Sequence, residues 1–381
     1  MFTTSLPLRC AAAFGVLSFV PPGLTAAEPA QPASPLTLTA DLRVRYESDW
    51  DSQNASGVAR TDRDRARLRA RAGFTYKLDS DWSIGARVRT GNRFSQQSPH
   101  LTFWGDDDVT DDFAAQADRY YVQYKHGPLT AWGGRNTTPF WQQNEMWWDE
   151  DVTPTGVAAT YDHKLADGAT LTSTGAAVFL PDGMLDLNGT MVGGQLKYSL
   201  PVKPSQFILA GGLYSFDGKR GAANLRNRNG VRGYLLGVLS AQWSTPTGTG
   251  QPVTLGVDLI KNFEDYSATD VLPFAASHTG DTAGYVFSAL YGQVKNPYDW
   301  QVGYYYAHIE TFAVNASYAQ DDWARFGNGP QADVTDFKGH EFRATYVLTK
   351  HLNLQARLFL VEAITSVQDG KRCRIDLNWK Y

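Results

Sequence analysis

Cysteine is almost absent from this sequence, which has only Cys10 and Cys373 among its 381 residues. Cys10 lies in an N-terminal stretch that we expect to be removed, so Cys373 has no intramolecular disulfide partner. Cysteine-based metal motifs are excluded for the same reason. The longest apolar run, Cys10 to Val20, is too short to cross a bilayer as a helix. These absences exclude a disulfide-stapled secreted domain and a helical membrane protein.

The N-terminal residues have the pattern of a secretory signal peptide, in which Arg9 precedes the apolar run and small residues lead to Ala27. We predict cleavage after Ala27. The chain then divides into a signal peptide over 1–27, a short leader over 28–35 and a single domain over 36–381. An exported chain with 35 glycines and 13% aromatic residues is typical of an envelope β-protein of a Gram-negative bacterium.

Residues 65–76 alternate arginine with apolar side chains, which places Arg65, Arg67, Arg69 and Arg71 on one face. A period of two is typical of a β-strand with one charged and one apolar face. In a soluble sandwich the apolar face would be core. In an outer-membrane barrel the apolar face contacts lipid and the polar face lines the lumen.

The same alternation along the chain predicts sixteen strands, an even number as a single-chain bacterial barrel requires. The predicted strands are 36–47, 65–76, 82–90, 117–125, 129–135, 155–163, 169–180, 190–199, 206–216, 231–244, 252–263, 283–294, 300–313, 339–348, 352–364 and 372–381. Short connections alternate with long ones, as periplasmic turns alternate with extracellular loops. Strands 169–180, 206–216 and 300–313 carry apolar residues on both faces, which leaves their facing open. We therefore predict an all-β fold, a transmembrane antiparallel up-and-down barrel over 36–381.

Aromatic residues give a second argument for the membrane. Each even-numbered predicted strand carries one on its apolar face where the strand reaches a short turn. These residues form the predicted aromatic girdle: Tyr76, Tyr124, Tyr161, Tyr198, Trp243, Tyr291, Tyr346, Trp379 and Tyr381. Amphipathic aromatics prefer the membrane–water interface, so a regular ring of them favours a barrel over the general aromatic enrichment of strands.

Several segments resemble a Gram-negative family known as the putative porins, whose pattern is related to phosphate-selective and alginate-export-type barrels. The resembling segments are Arg67–Gly73, Arg87–Asn92, Gly133–Asn136, Trp148–Asp149 and the closing Arg374–Tyr381. The resemblance implies passive diffusion of solutes through an outer-membrane barrel. It supplies no catalytic residue and no cofactor.

If the apolar faces contact lipid, the basic residues of neighbouring strands share one inner wall. This basic wall consists of Arg43, Arg45, Arg65, Arg67, Arg69, Arg71, Arg87, Arg89, Arg119 and Arg374. Crowded guanidinium groups raise the local anion concentration in a narrow channel and repel cations. The sequence therefore predicts a pore for small hydrophilic solutes with a preference for anions.

The acids are expected elsewhere, chiefly in the long loops around 106–112 and 145–151. The second of these loops is the candidate constriction loop, since its tryptophans are too apolar to stay in solvent. Its candidate residues are Trp141, Glu145, Trp147, Trp148, Asp149, Glu150 and Asp151. Two interpretations stay open: the acids oppose the basic wall across the pore, or they neutralise it in salt bridges that hold the loop.

Other function classes fit the residues less well. The seven histidines do not converge with a serine or an aspartate, so an enzyme is a distant alternative and no cofactor is expected. The acids of 106–112 fit a solvated acidic loop better than a calcium site, and we expect no metal site. A basic wall inside a pore does not suit nucleic acid. Export of a polyanionic polysaccharide is the main alternative to uptake of small solutes.

The expected partners are outer-membrane lipid and small hydrophilic or anionic solutes. The oligomeric state is open. A homotrimer is one candidate, for which the small residues Gly233, Gly237 and Ala241 are a weak marker.

Overall fold

The structure is a computed structural model that describes residues 34–106, 111–166, 168–218, 222, 224–226, 231–271, 273–323 and 334–381. The predicted signal peptide over 1–27 lies outside the described residues, as does the leader as far as residue 33. Within the described ranges, no helix is long and apolar enough to span a membrane. A short 3₁₀ helix occupies Pro273–His278.

In the part of the chain that the structure describes, seventeen strands form one antiparallel sheet. Their bounds are β1 Leu36–Gln53, β2 Arg63–Lys77, β3 Trp82–Thr90, β4 Leu101–Gly105, β5 Ala115–His126, β6 Leu129–Arg135, β7 Thr155–Lys164, β8 Thr170–Asp182, β9 Asp186–Val202, β10 Ser205–Asp217, β11 Tyr234–Pro246, β12 Pro252–Asn262, β13 Ala283–Gly292, β14 Trp300–Ile309, β15 Phe337–Thr349, β16 Leu352–Ala363 and β17 Asp369–Lys380. Sixteen strands close a barrel, because β1 pairs with β2 on one side and with β17 on the other. The predicted sixteen-stranded antiparallel barrel is confirmed, with β4 as one extra strand.

The extra strand corrects one prediction. The predicted strands 82–90 and 117–125 leave no strand between them, but β4 pairs with β2 there, with Leu101 opposite Leu68 and Trp104 opposite Ala66. A strand of five residues is too short for alternation to distinguish it from an apolar loop.

The two faces of the sheet have opposite chemistry. On β1 the side chains of Leu42 and Val44 are exposed, whereas Arg45 and Glu47 are buried. On β2, Arg69 is likewise buried. This is the reverse of a soluble sandwich, and it assigns the apolar faces to the outside of the barrel and the charged faces to the interior.

Part of the interior is apolar. A buried cluster occupies the interior beside β8 to β16, where Val178, Tyr214, Leu236, Ile309 and Phe337 project inward. This cluster resolves the strands with apolar residues on both faces. Their outer residues face lipid, while their inner residues pack against segments that fold into the barrel.

The seam between β1 and β17 joins opposite charges. Its directly opposed pairs are Arg45 with Asp376, Glu47 with Arg374 and Asp49 with Arg372. Arg45 Nε lies 2.7 Å from Asp376 Oδ1. Closure at this seam leaves neither of the terminal strands with an open edge in the bilayer.

Candidate functional site

Residues 136–154, the constriction loop, connect β6 to β7 and fold into the barrel interior. Trp147 and Trp148 are only 3% and 0% exposed. Trp147 stacks on Tyr214 with 4.3 Å between ring centroids, and Trp148 stacks on Tyr318 at 5.8 Å. Because aromatic pairs of this kind add about 0.5–1.5 kcal/mol beyond the buried area, they fix the loop inside the lumen.

The constriction loop crosses the interior to strands β9 and β12. The main-chain N–H of Trp141 donates a hydrogen bond to Gln195 Oε1 at 2.8 Å. Gln143 Nε2 donates to a main-chain oxygen of β12 at 2.8 Å, and Asn144 donates to the carboxylate of Asp258. These bonds attach the middle of the loop to the inner wall formed by β9 and β12.

A second inward segment, residues 310–323, meets the constriction loop. The sequence predictions placed these residues in a strand and an extracellular loop, but β14 ends at Ile309 and the chain then turns into the barrel. The N–H of Asp149 donates to Tyr318 O at 2.8 Å, and the N–H of Gln320 donates to Glu145 O at 3.0 Å. Main-chain hydrogen bonds therefore join the two segments inside the barrel.

The basic wall is largely neutralised by carboxylates on its own strands. These pairs are Arg45 with Asp376, Arg71 with Asp41, Arg87 with Asp118, and both Arg65 and Arg374 with Glu47. The expectation that the acids lie elsewhere is wrong. A β-bulge opposite Arg87 turns Asp118 inward, although strict alternation assigns it to the outer face.

The acids of the constriction loop add to this neutralisation. Asp151 Oδ1 lies 2.7 Å from Arg71 Nη1, and Glu150 Oε1 lies 3.3 Å from Arg69 Nη1. Asp151 also lies 3.5 Å from Arg69. Of the two interpretations that the sequence left open, these contacts favour salt bridges that hold the loop on the wall.

Asp322 forms the ion pairs that hold the second inward segment on the basic wall. Its carboxylate lies 3.0 Å from Arg357 Nη1 and 3.5 Å from Arg45 Nη1, and it also pairs with Arg374. Sequence reasoning missed this residue, since nothing local distinguishes it from any other acid of a long loop.

Among the described residues, a few arginines of the basic wall have no paired carboxylate to compensate their charge. Within the described part of the chain, Arg67, Arg89 and Arg119 have no carboxylate within 4.0 Å. Arg67 donates to Ser98 Oγ at 3.1 Å, and Arg89 donates to main-chain oxygens. The nearest carboxylate to Arg43 is 4.0 Å away.

A polar cavity of about 240 Å³ lies between the two inward segments and the inner faces of β1, β15 and β16. Its lining includes Arg43, Arg343, Arg357, His100, Glu145, Glu150, Asp321 and Asp322. At about 30 Å³ for each water, this volume holds about eight water molecules. Both signs of charge therefore face one small polar space.

The carboxylates of the cavity fall into two classes. Burial, together with Glu150 and Asp322 nearby, raises the pKa of Glu145 well above its usual range. Burial and the neighbouring Glu145 do the same to the pKa of Asp149. Burial opposes ionisation of Asp322, but the adjacent arginines hold its pKa well below its usual range. The arginine-bound acid is therefore fixed as an anion, while the acids without an ion pair lose their charge at a higher pH than ordinary carboxyl groups do.

The residues of the predicted girdle lie close to the short turns and share the parity of the exposed apolar residues of their strands. Tyr76 stands opposite Leu36 at the start of the barrel. Tyr124 packs against Trp82 at 4.9 Å between ring centroids, and Tyr291 packs against Trp300 at 5.5 Å.

The acidic run considered for calcium is only partly described, because Asp107 and Asp108 lie outside the described residues. In the remainder, no group of three His, Cys, Asp or Glu side chains is placed to hold a metal ion.

Residues 52–195 match the family model described as "Putative porin". The resemblance to this family is confirmed over residues 52–195. The match includes the constriction loop, while the closing Arg374–Tyr381 segment lies beyond it. No curated protein sequence matches the chain.

Solved porin-type structures share the barrel at low sequence identity. OprB of Pseudomonas putida has a TM-score of 0.58 and 11% identity over 91% of this chain and 94% of its own. OmpF of Salmonella typhi has a TM-score of 0.53 and 13% identity over 91% and 97%. A loop-deletion mutant of OmpT, an outer membrane protein of Vibrio cholerae, has a TM-score of 0.51 and 10% identity over 91% and 99%. At these identities the similarity concerns the fold.

Proposed function

We propose that this chain is an outer-membrane porin, a water-filled channel for passive diffusion of small hydrophilic solutes into a Gram-negative bacterium. The observation that carries the proposal is a closed barrel whose exterior is apolar and whose constriction encloses a polar cavity. The match to the putative porin family supports it. The proposal includes export by a signal peptide cleaved after Ala27 and a barrel domain over 36–381.

The two inward segments favour small solutes over a polymer. Among the described residues, the constriction loop and the second inward segment leave a cavity with room for about eight waters. A polysaccharide chain in transit would have to pass two segments that hydrogen bonds attach inside the barrel, so uptake of small solutes is the better-supported function.

We propose a weak preference for anions. The ion pairs cancel most of the basic wall, so the support for this preference is confined to Arg43, Arg67, Arg89 and Arg119. Guanidinium groups stay charged throughout the physiological pH range and raise the local anion concentration.

The test is the reversal potential of the purified protein in a planar bilayer under a KCl gradient. We expect single-channel steps and a chloride-to-potassium permeability ratio modestly above one. The double variant Arg67→Ala, Arg119→Ala should lower this ratio, while the exposed control Arg93→Ala should leave it unchanged. A clear potassium preference of the unmodified protein contradicts the anion proposal, and absence of conductance from correctly folded barrels contradicts the channel.

A homotrimer is the proposed assembly. The small residues Gly237 and Ala241 lie on the outer face of β11, where their size permits close approach of a second barrel. The OmpT structure from Vibrio cholerae with a TM-score of 0.50 is described as a trimer form. The mass of the protein in detergent, measured by light scattering, tests this; a monomer mass contradicts it.

A further inference from the structure

We propose that the cavity at the constriction is a binding site for small zwitterionic solutes of the α-amino-acid class. The solute carboxylate binds on the side of Arg43 and His100, and its ammonium group binds on the side of Glu145. This inference rests on the proposed channel function and names the solute that the channel selects.

The basic side of the cavity has unused hydrogen-bonding capacity. Arg43 donates from Nε to Asn378 Oδ1 at 2.6 Å, but its nearest carboxylate, on Asp376, is 4.0 Å away. His100 is 7% exposed, and its Nε2 has no hydrogen-bond partner among the described residues. Both side chains line the cavity. A buried polar atom without a partner is costly, and a carboxylate oxygen of the solute would satisfy it.

The acidic side has the complementary deficiency. Within the described ranges, Glu145, Asp149 and Asp321 form no ion pair with a basic side chain, although all three line the cavity. The main chain of Glu145 is fixed by the hydrogen bond from Gln320, so its carboxylate stays at the cavity. Burial without a paired cation disfavours the ionised form of these carboxyl groups, and a bound ammonium group favours it.

Only a solute that carries both charges meets a complementary group on each side. A simple anion that binds Arg43 leaves the carboxyl groups of the acidic side without a cation, and a simple cation that binds Glu145 leaves His100 Nε2 without a partner. The room for about eight waters also suits a solute of the size of a small amino acid.

The test compares three solutes of similar size by their block of the single-channel KCl current: alanine, propionate and ethylammonium. We expect half-block by alanine at a concentration about fivefold lower than by either singly charged solute, which is the effect of one added ion pair in water. Equal half-block concentrations for the three solutes overturn the binding site while leaving the channel intact. A folded barrel without current overturns the proposed function and the site together.

Two variants separate the two sides of the cavity. Glu145→Gln should raise the half-block concentration of alanine and leave that of propionate unchanged or lower. Arg43→Gln should raise both. The exposed residues Glu264 and Arg93 provide matched controls, since Glu264→Gln and Arg93→Gln remove the same charges far from the cavity lining. Unchanged alanine block in Glu145→Gln overturns the inference.

Discussion

Neutralising Asp322 should change the selectivity of the pore more than any other single substitution on the second inward segment. Its carboxylate is 21% exposed, lines the cavity and is shared by three arginines, of which Arg357 is 3.0 Å away and Arg45 is 3.5 Å away. Asp322→Asn keeps the shape of the side chain and removes one negative charge. The three guanidinium groups then face the channel with less compensation.

The magnitude follows from Coulomb's law. A unit charge about 4 Å from a passing ion contributes about 1 kcal/mol in water, which corresponds to about a fivefold change in local ion concentration. In Asp322→Asn the local concentration of anions rises and that of potassium falls, each by up to about fivefold. The chloride-to-potassium permeability ratio should therefore rise by up to about 25-fold. The loss of stability should stay below the ~3–5 kcal/mol typical of a broken buried pair, because Arg45 retains Asp376 and Arg374 retains Glu47.

The assay is the reversal potential in a KCl gradient, with the exposed Asp265→Asn as the matched control. Resistance of the folded barrel to unfolding in detergent verifies that the variant is assembled. A permeability ratio equal to that of the unmodified protein, at unchanged single-channel conductance, would refute the reasoning that Asp322 compensates the wall.

Three further outcomes are expected. Trp148→Ala should loosen the constriction loop, since truncating a fully buried tryptophan costs about 3–5 kcal/mol. We expect a higher single-channel conductance and faster protease cleavage of the loop, and unchanged conductance would count against this. As the pH falls from 8 to 5, anion preference in the reversal potential should increase, because Glu145 and Asp149 have raised pKa values and lose their charge before ordinary carboxyls do; a flat profile contradicts this. Arg87→Ala should shift the reversal potential towards cation preference, because it leaves the buried Asp118 unpaired. Adding Asp118→Ala should restore the original reversal potential, and failure to do so would argue that Asp118 does not compensate the charge of Arg87.

The barrel itself could be predicted because apolar and polar residues alternate along nearly every strand. On β1, Val44 and Arg45 alternate between lipid and interior, and a bilayer around an aqueous lumen imposes this alternation on neighbouring residues. The tryptophans of the constriction loop were also informative, since an exposed Trp147 or Trp148 would be unfavourable.

The charge balance of the interior could not be read in the same way. Asp118 faces inward only because of a bulge, which alternation does not reveal. The inward path of 310–323 depends on packing of its own Tyr318 against Trp148 and Phe216, which come from distant parts of the chain. Ion pairs such as Asp322 with Arg357 join residues brought together only by the closed barrel, so no local pattern contains them.

The order of charges at the β1–β17 seam also has a consequence for assembly. A slip of one residue would send every arginine of β17 into lipid. A slip of two residues preserves the facing, but it sets Glu47 against Asp376 in one direction and Arg45 against Arg374 in the other. Of these alignments, only the observed one sets Arg45, Glu47 and Asp49 each against an opposite charge. The charges at this seam therefore favour the correct register when the barrel closes.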